Sequence, residues 1–177
     1  MMLRRSVILV GLPGAGKSSV GRAAANSIGV AFVDFDRELE SRTGRTVAQL
    51  FAGQGESSFR EMEYNLTVEL AKAPPAVWAP GGGWVTVPGA LAMVRPHACI
   101  IHLVVSPVGA LARLRDDATI RPLLAGDHPE RVLDRLWQER SGAYAEADYL
   151  VNTEHLDFQR VVDRVVELAR SEPHAME

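Results

Sequence analysis

A chain of 177 residues, 47% apolar and 23% charged, suits one globular domain with a core of its own. Its net charge of −3 argues against a protein built to grip nucleic acid non-specifically, which wants a basic surface. No apolar run nears the roughly 20 residues of a membrane span, and the single cysteine, Cys99, allows no internal disulfide, so the reading is a cytoplasmic protein; a monomer is expected.

Residues 1–5 ahead of the apolar run 6–10 look superficially like a leader, but that run is too short and enters a glycine-rich turn at once. The turn, Gly11-Leu-Pro-Gly-Ala-Gly-Lys-Ser18, fits G-x-x-x-x-G-K-[ST] at every fixed position. A buried strand is expected over 6–10 and a helix over 17–28, with Val20, Ala24 and Ile28 on one face. Strand, glycine loop and helix N-terminus together make an anion cradle. Gly14, Ala15, Gly16 and Ser19 are expected to line the nucleotide phosphates, Lys17 to reach the β/γ-phosphates, and Ser18 to ligate Mg²⁺.

A second strand is expected over 31–34, ending in Asp34-Phe-Asp36. On an extended segment these carboxylates share one side, where they could hold Mg²⁺ or deprotonate an acceptor hydroxyl. A polar helical region follows over 36–72, broken near Gly44 and again near Gly53–Gly55. Within it Arg60 and Glu63, three apart on a helix, can pair, and a guanidinium fixed by Glu63 suits a small carboxylate.

A third strand over 76–79 runs into Gly81-Gly82-Gly83, which permits close backbone approach to a ligand. A short helix is expected over 87–94, starting at Pro88, then a fourth strand over 99–105 that buries Cys99 as a small hydrophobe. A helix over 107–114 leads to a polar stretch, about 115–128, holding Arg121-Pro-Leu-Leu124. Such a stretch could fold over nucleotide and bring Arg121 onto the transferring phosphates. A long helix over 129–147 carries Arg140 and Tyr144; a fifth strand, 149–151, and a final amphipathic helix, 158–170, complete the chain. Continuous apolar strands alternating with helices mean a parallel sheet covered on both faces, with ligands at the carboxyl ends of the strands.

In this order these motifs resemble those of the shikimate kinase family over about residues 6–168: the phosphate loop, Asp34/Asp36, Phe59-Arg60-x-x-Glu63, the triple glycine, Arg121-Pro-Leu-Leu124, and Arg140 with Tyr144. The resemblance implies a three-layer α/β P-loop kinase fold with a five-stranded parallel sheet, helices on both faces, a mobile lid at about 115–128 and a substrate-binding helical region at about 36–65. It implies ATP-dependent phosphorylation of the 3-hydroxyl of shikimate, with ATP and Mg²⁺ required. By position, Asp36 would hold the acceptor hydroxyls and act as base, Arg60 and Arg140 would clamp the carboxylate, and Gly82 would meet the ring hydroxyls through its backbone. Asp34 would support the Mg²⁺ on Ser18, Arg121 would be the lid arginine, and Phe51 and Phe59 would pack on the ring. Phe35 and Trp84 stand where the family has small or polar residues. Bulk there would reshape the pocket, and another small hydroxy acid or a nucleoside monophosphate is the alternative acceptor.

Overall fold

The computed structural model describes residues 3–115 and 128–171. Five strands, β1 (Ser6–Val10), β2 (Phe32–Asp34), β3 (Val77–Ala79), β4 (Ala98–Val104) and β5 (Tyr149–Asn152), pair in parallel in the order β2-β3-β1-β4-β5. β1 and β3 are buried at every position, and β4 at all but its last. A strand covered on both faces has no solvent side, which is why these segments run apolar without alternation.

The helices are α1 (Lys17–Ile28), α2 (Phe35–Thr43), α3 (Val47–Leu70), α4 (Ala90–Val94), α5 (Pro107–Arg115), α6 (Pro129–Tyr144) and α7 (Phe158–Arg170). The chain steps one way along the sheet from β1 to β2 and the other way for every later strand. Right-handed crossovers therefore put α1 on one face and α2 to α6 on the other. α7 packs beside α1, burying Val161, Val162, Val165, Val166 and Leu168. The direction reverses between β1 and β3, so the loops after these two strands flank the crevice where an α/β sheet binds its ligands.

Some expected boundaries move. The strand before Asp36 ends at Asp34, and α2 begins at Phe35, so Asp36 sits in the first turn of a helix rather than on an extended segment. Asp34 caps that helix by accepting from Arg37 N at 3.3 Å, which ends the strand there. Past the triple glycine comes a 3₁₀ turn, Trp84–Thr86; the following helix starts at Ala90 with Gly89 as cap, not at Pro88. α6 stops at Tyr144 rather than near 147.

The breaks expected near Gly44 and Gly53–Gly55 are present. Gly44 ends α2 in the left-handed conformation, and Gly55 (φ 80°, ψ 169°) kinks α3. Thr46 and Gln49 close a capping box at the start of α3. Cys99 is buried and unpaired, and burial, with the charge of Asp148, pushes its thiol up to about 11. Among the described residues no helix is long and apolar enough to cross a membrane. Arg121 and nearly all of the expected lid lie outside the described residues.

Candidate active site

The loop after β1 holds its shape by glycine conformations: Gly14 and Gly16 have φ of 83° and 91°. Gly16 is the N-cap of α1 and supplies no side-chain cap, and the first turn of α1 carries no acidic residue. Its N-terminal N–H groups thus face a place suited to an anion. Lys17 folds back over the loop, donating from Nζ to Gly11 O at 2.8 Å and Leu12 O at 3.2 Å. Ser18 is exposed beside it, and Ser19 Oγ donates to Gly16 O at 3.1 Å.

The triple glycine after β3 is the hub to which the other groups converge. A Cβ added to Gly81 would stand 2.8 Å from Glu63 Oε1 and 3.3 Å from Asp36 Oδ1. One on Gly82 would stand 3.0 Å from Arg140 Nη1, 3.4 Å from Pro13 and 3.6 Å from Gly11 O, and one on Gly83 would fall on the Arg60 guanidinium. Three side-chain-free residues therefore let α2, α3, α6 and the phosphate loop close on one point. Asp36, Arg60, Glu63 and Arg140, expected from sequence to share a site, are brought together.

The electrostatics follow from burial. Arg60 Nη1 donates to Glu63 Oε2 at 2.5 Å and Nη2 to Glu56 Oε1 at 2.9 Å. Burial pushes the Glu63 carboxyl up to about 7, although the charge and hydrogen bond of Arg60 pull it down; the charge of Asp36 adds to the rise and the Gly81 backbone opposes it. For Arg60 burial acts downward, but Glu63 and Glu56 outweigh it and the net shift is up. Phe51 and Phe59, brought within 4.7 Å across the kink at Gly55, lie under the guanidinium at 5.9 and 5.7 Å.

Arg140 is buried, and its Nη1 has no hydrogen-bond partner among the described residues. Tyr144, one turn on, donates its hydroxyl to Gly82 O at 3.3 Å. Beneath it lies His102, a residue the sequence reading missed. Its ring stacks on Tyr144 at 4.6 Å and on Trp137 at 6.1 Å, and it pairs in register with Val10, the last residue before the phosphate loop. Burial, with the nearby charge of Lys17, lowers its pKa to about 4, so it is neutral at pH 7. The available signal was one polar residue inside an otherwise apolar strand.

Arg113 was also missed. It donates to Thr153 Oγ1 at 2.8 Å and reaches Gly14 O at 3.4 Å, tying the loop after β5 to the phosphate loop. Glu154 accepts from Ser106 N at 2.9 Å and Oγ at 2.8 Å, anchoring the same loop to the start of α5.

The bulk at Phe35 and Trp84 does not reach the pocket. Both rings are fully buried and meet edge to face at 6.5 Å, with Phe35 also 6.3 Å from Trp78. The expectation that their bulk lies in the acceptor pocket is corrected: they fill the core under it. Among the described residues no cluster of three or more His, Cys, Asp or Glu side chains could hold a metal by itself.

The family model described as shikimate kinase matches residues 13–170. A shikimate kinase of Synechococcus sp. (strain CC9902) is 37% identical over 164 residues, 93% of this chain and 85% of the relative. A shikimate kinase of Paracidovorax citrulli is 40% identical over 148 residues, 82% of this chain and 80% of the relative. The structure of shikimate kinase from Acinetobacter baumannii in complex with shikimate superposes with a TM-score of 0.86 at 32% identity, covering 93% of this chain and 92% of that one.

Proposed function

This chain belongs to the shikimate kinase family, and from that membership we propose how its own residues move a phosphoryl group from ATP to shikimate. The enzyme phosphorylates the 3-hydroxyl of shikimate, giving shikimate 3-phosphate and ADP. The observation that carries this reading is the convergence of Asp36, Arg60, Glu63 and Arg140 on Gly81–Gly83, directly beside the phosphate loop.

The acceptor half works as follows. Arg60 and Arg140 fork the shikimate carboxylate from two sides, and Gly82 offers its backbone to the ring hydroxyls. Glu63 keeps Arg60 turned inward, while Phe51 and Phe59 wall the ring. Asp36, held in the first turn of α2, accepts the proton of the 3-hydroxyl as its oxygen bonds to phosphorus. The donor half is the loop of Gly14, Ala15, Gly16, Ser18 and Ser19, whose backbone and helix end cradle the phosphates. As the bond to the bridging oxygen breaks, Lys17 neutralises the charge left on ADP, and Arg121 from the lid segment joins it.

Mg²⁺ fits an oxygen-only pair: the exposed Ser18 hydroxyl and the Asp34 carboxylate at the end of β2 would hold it, with phosphate oxygens and water completing the shell. Bound there, it would supply further charge neutralisation on the phosphates. A reducing cytoplasm, where ATP is at hand, agrees with the single free and buried thiol of Cys99. A coupled assay with shikimate, ATP and Mg²⁺ tests the whole reading. Turnover well above background is expected; its absence in folded protein would sink it.

A further inference from the structure

We propose that Trp84 is a positioning residue for the acceptor half of the site, acting through Thr67 and Phe35 without touching substrate. The proposal rests on the reading of Asp36, Arg60 and Glu63 as acceptor-binding groups.

Trp84 follows Gly83 directly, and its indole Nε1 donates to Thr67 Oγ1 at 2.8 Å. The Thr67 hydroxyl in turn donates to Glu63 O at 2.7 Å, one helical turn back. Trp84, Thr67 and Glu63 are all fully or almost fully buried, so no water competes for these bonds. The relay ends on the backbone of the residue that grips Arg60.

The indole's other contact leads to the base. Its ring meets Phe35 at 6.5 Å and 77°, and Phe35 is the residue before Asp36 in the first turn of α2. Phe35 also packs on Trp78, two residues ahead of Pro80 in the strand that feeds the glycine loop. One residue thus meets three of the four segments that carry the acceptor-binding groups: α2 and α3 through its ring, and the loop 81–83 through its backbone, where its N–H donates to Gly81 O at 3.0 Å. Among the described residues it makes no hydrogen bond to the phosphate loop. A small side chain at position 84 could neither bond Thr67 nor reach Phe35, and the spacing of α2 and α3 would lose its common strut.

Four variants test this: Trp84→Phe, which keeps bulk and drops the donor; Thr67→Val, which drops the relay at equal volume; Thr67→Ser, which keeps the hydroxyl; and the double Trp84→Phe/Thr67→Val. For each, KM for shikimate, KM for ATP, kcat and Tm are measured. Losing one buried hydrogen bond should raise the shikimate KM about three- to tenfold, with the ATP KM within about twofold of wild type. The double variant should be no worse than the worse single one, because both cut one relay. Thr67→Ser should stay close to wild type. A shikimate KM unchanged in folded Trp84→Phe, an equal rise in both KM values, or additive single effects would each overturn the proposal. Should Trp84→Phe fail to fold, Thr67→Val set against Thr67→Ser decides by the same rule. Wild-type turnover with shikimate is measured first; its absence refutes the functional reading, whereas turnover with unmoved KM values refutes only the role of Trp84.

Discussion

Arg60 Nη1 and Glu63 Oε2 lie 2.5 Å apart, and the Glu63 side chain is wholly buried. A surface pair at the same spacing would contribute little. Here burial dominates: it pushes the Glu63 carboxyl up to about 7 in spite of its arginine, with the charge of Asp36 adding to the rise. The carboxylate that holds the Arg60 guanidinium therefore changes protonation near neutral pH.

Stability should record that titration. The folded pKa of Glu63 is raised above its usual 4.5 to about 7, so the native state holds this proton where the unfolded chain has released it. The contribution is fully present below about pH 4.5 and is lost as pH rises through about 7. Glu63→Gln fixes the neutral form. Its Tm relative to wild type should therefore climb between pH 5 and pH 8, each kcal/mol appearing as about 2–4 °C. Thermal melts of both proteins across that range check it, and a constant difference would show that Glu63 does not titrate there.

A methyl group on Gly83 would fall on the Arg60 guanidinium, whereas one on Gly82 would stand 3.0 Å from Arg140 Nη1. Neither glycine has a positive φ, so the cost is steric and not conformational. Gly83→Ala should fold and displace Arg60, raising the shikimate KM by roughly tenfold or more. Gly82→Ala should give a smaller rise, since the far end of Arg140 can shift by a few tenths of an ångström. Steady-state kinetics with saturating ATP separates the two.

The phosphate loop, the strands and the breaks in the helical region were legible because each rests on a local signal: fixed glycines, an apolar run, or a residue that cannot continue a helix. The grouping of Asp36, Arg60 and Arg140 was legible only through the resemblance, since the three lie on three different helices. Two readings failed for one physical reason. Asp34 and Asp36 were placed on one extended segment, and the bulk of Phe35 and Trp84 beside the pocket, but α2 begins at Phe35. That one-residue change of element turns Phe35 into the core against Trp84 and leaves Asp34 as the cap. His102 and Arg113 escaped because their partners, Tyr144 and Thr153, are far away in sequence.

Asp36 is the only carboxylate proposed to touch the reacting hydroxyl. Asp36→Asn keeps shape and hydrogen bonding but cannot take a proton at neutral pH, so kcat should fall about 10²- to 10⁴-fold. The shikimate KM should move far less, because the arginines are untouched. Comparing kcat with KM checks the role; a near wild-type kcat would remove Asp36 as the base.

Arg140 should show binding and stability pulling in opposite directions. It is 5% exposed, and its Nη1 has no acceptor among the described residues. A buried guanidinium with an unmade bond is costly in the free protein, and replacing it by an apolar side chain of similar length is often neutral or stabilising. Arg140→Met should therefore melt at or above the wild-type temperature without ligand. With shikimate the order should reverse: the wild type gains stability by mass action, whereas the variant, having lost a charge-assisted pair, gains almost nothing. The shikimate KM should rise about 10- to 150-fold, matching the 1.5–3 kcal/mol of a hydrogen bond to a charged group. The ATP KM should hold. Melting curves with and without shikimate, beside kinetics on the same preparations, test this. A Tm fallen by many degrees in the unliganded variant would instead make Arg140 part of the scaffold.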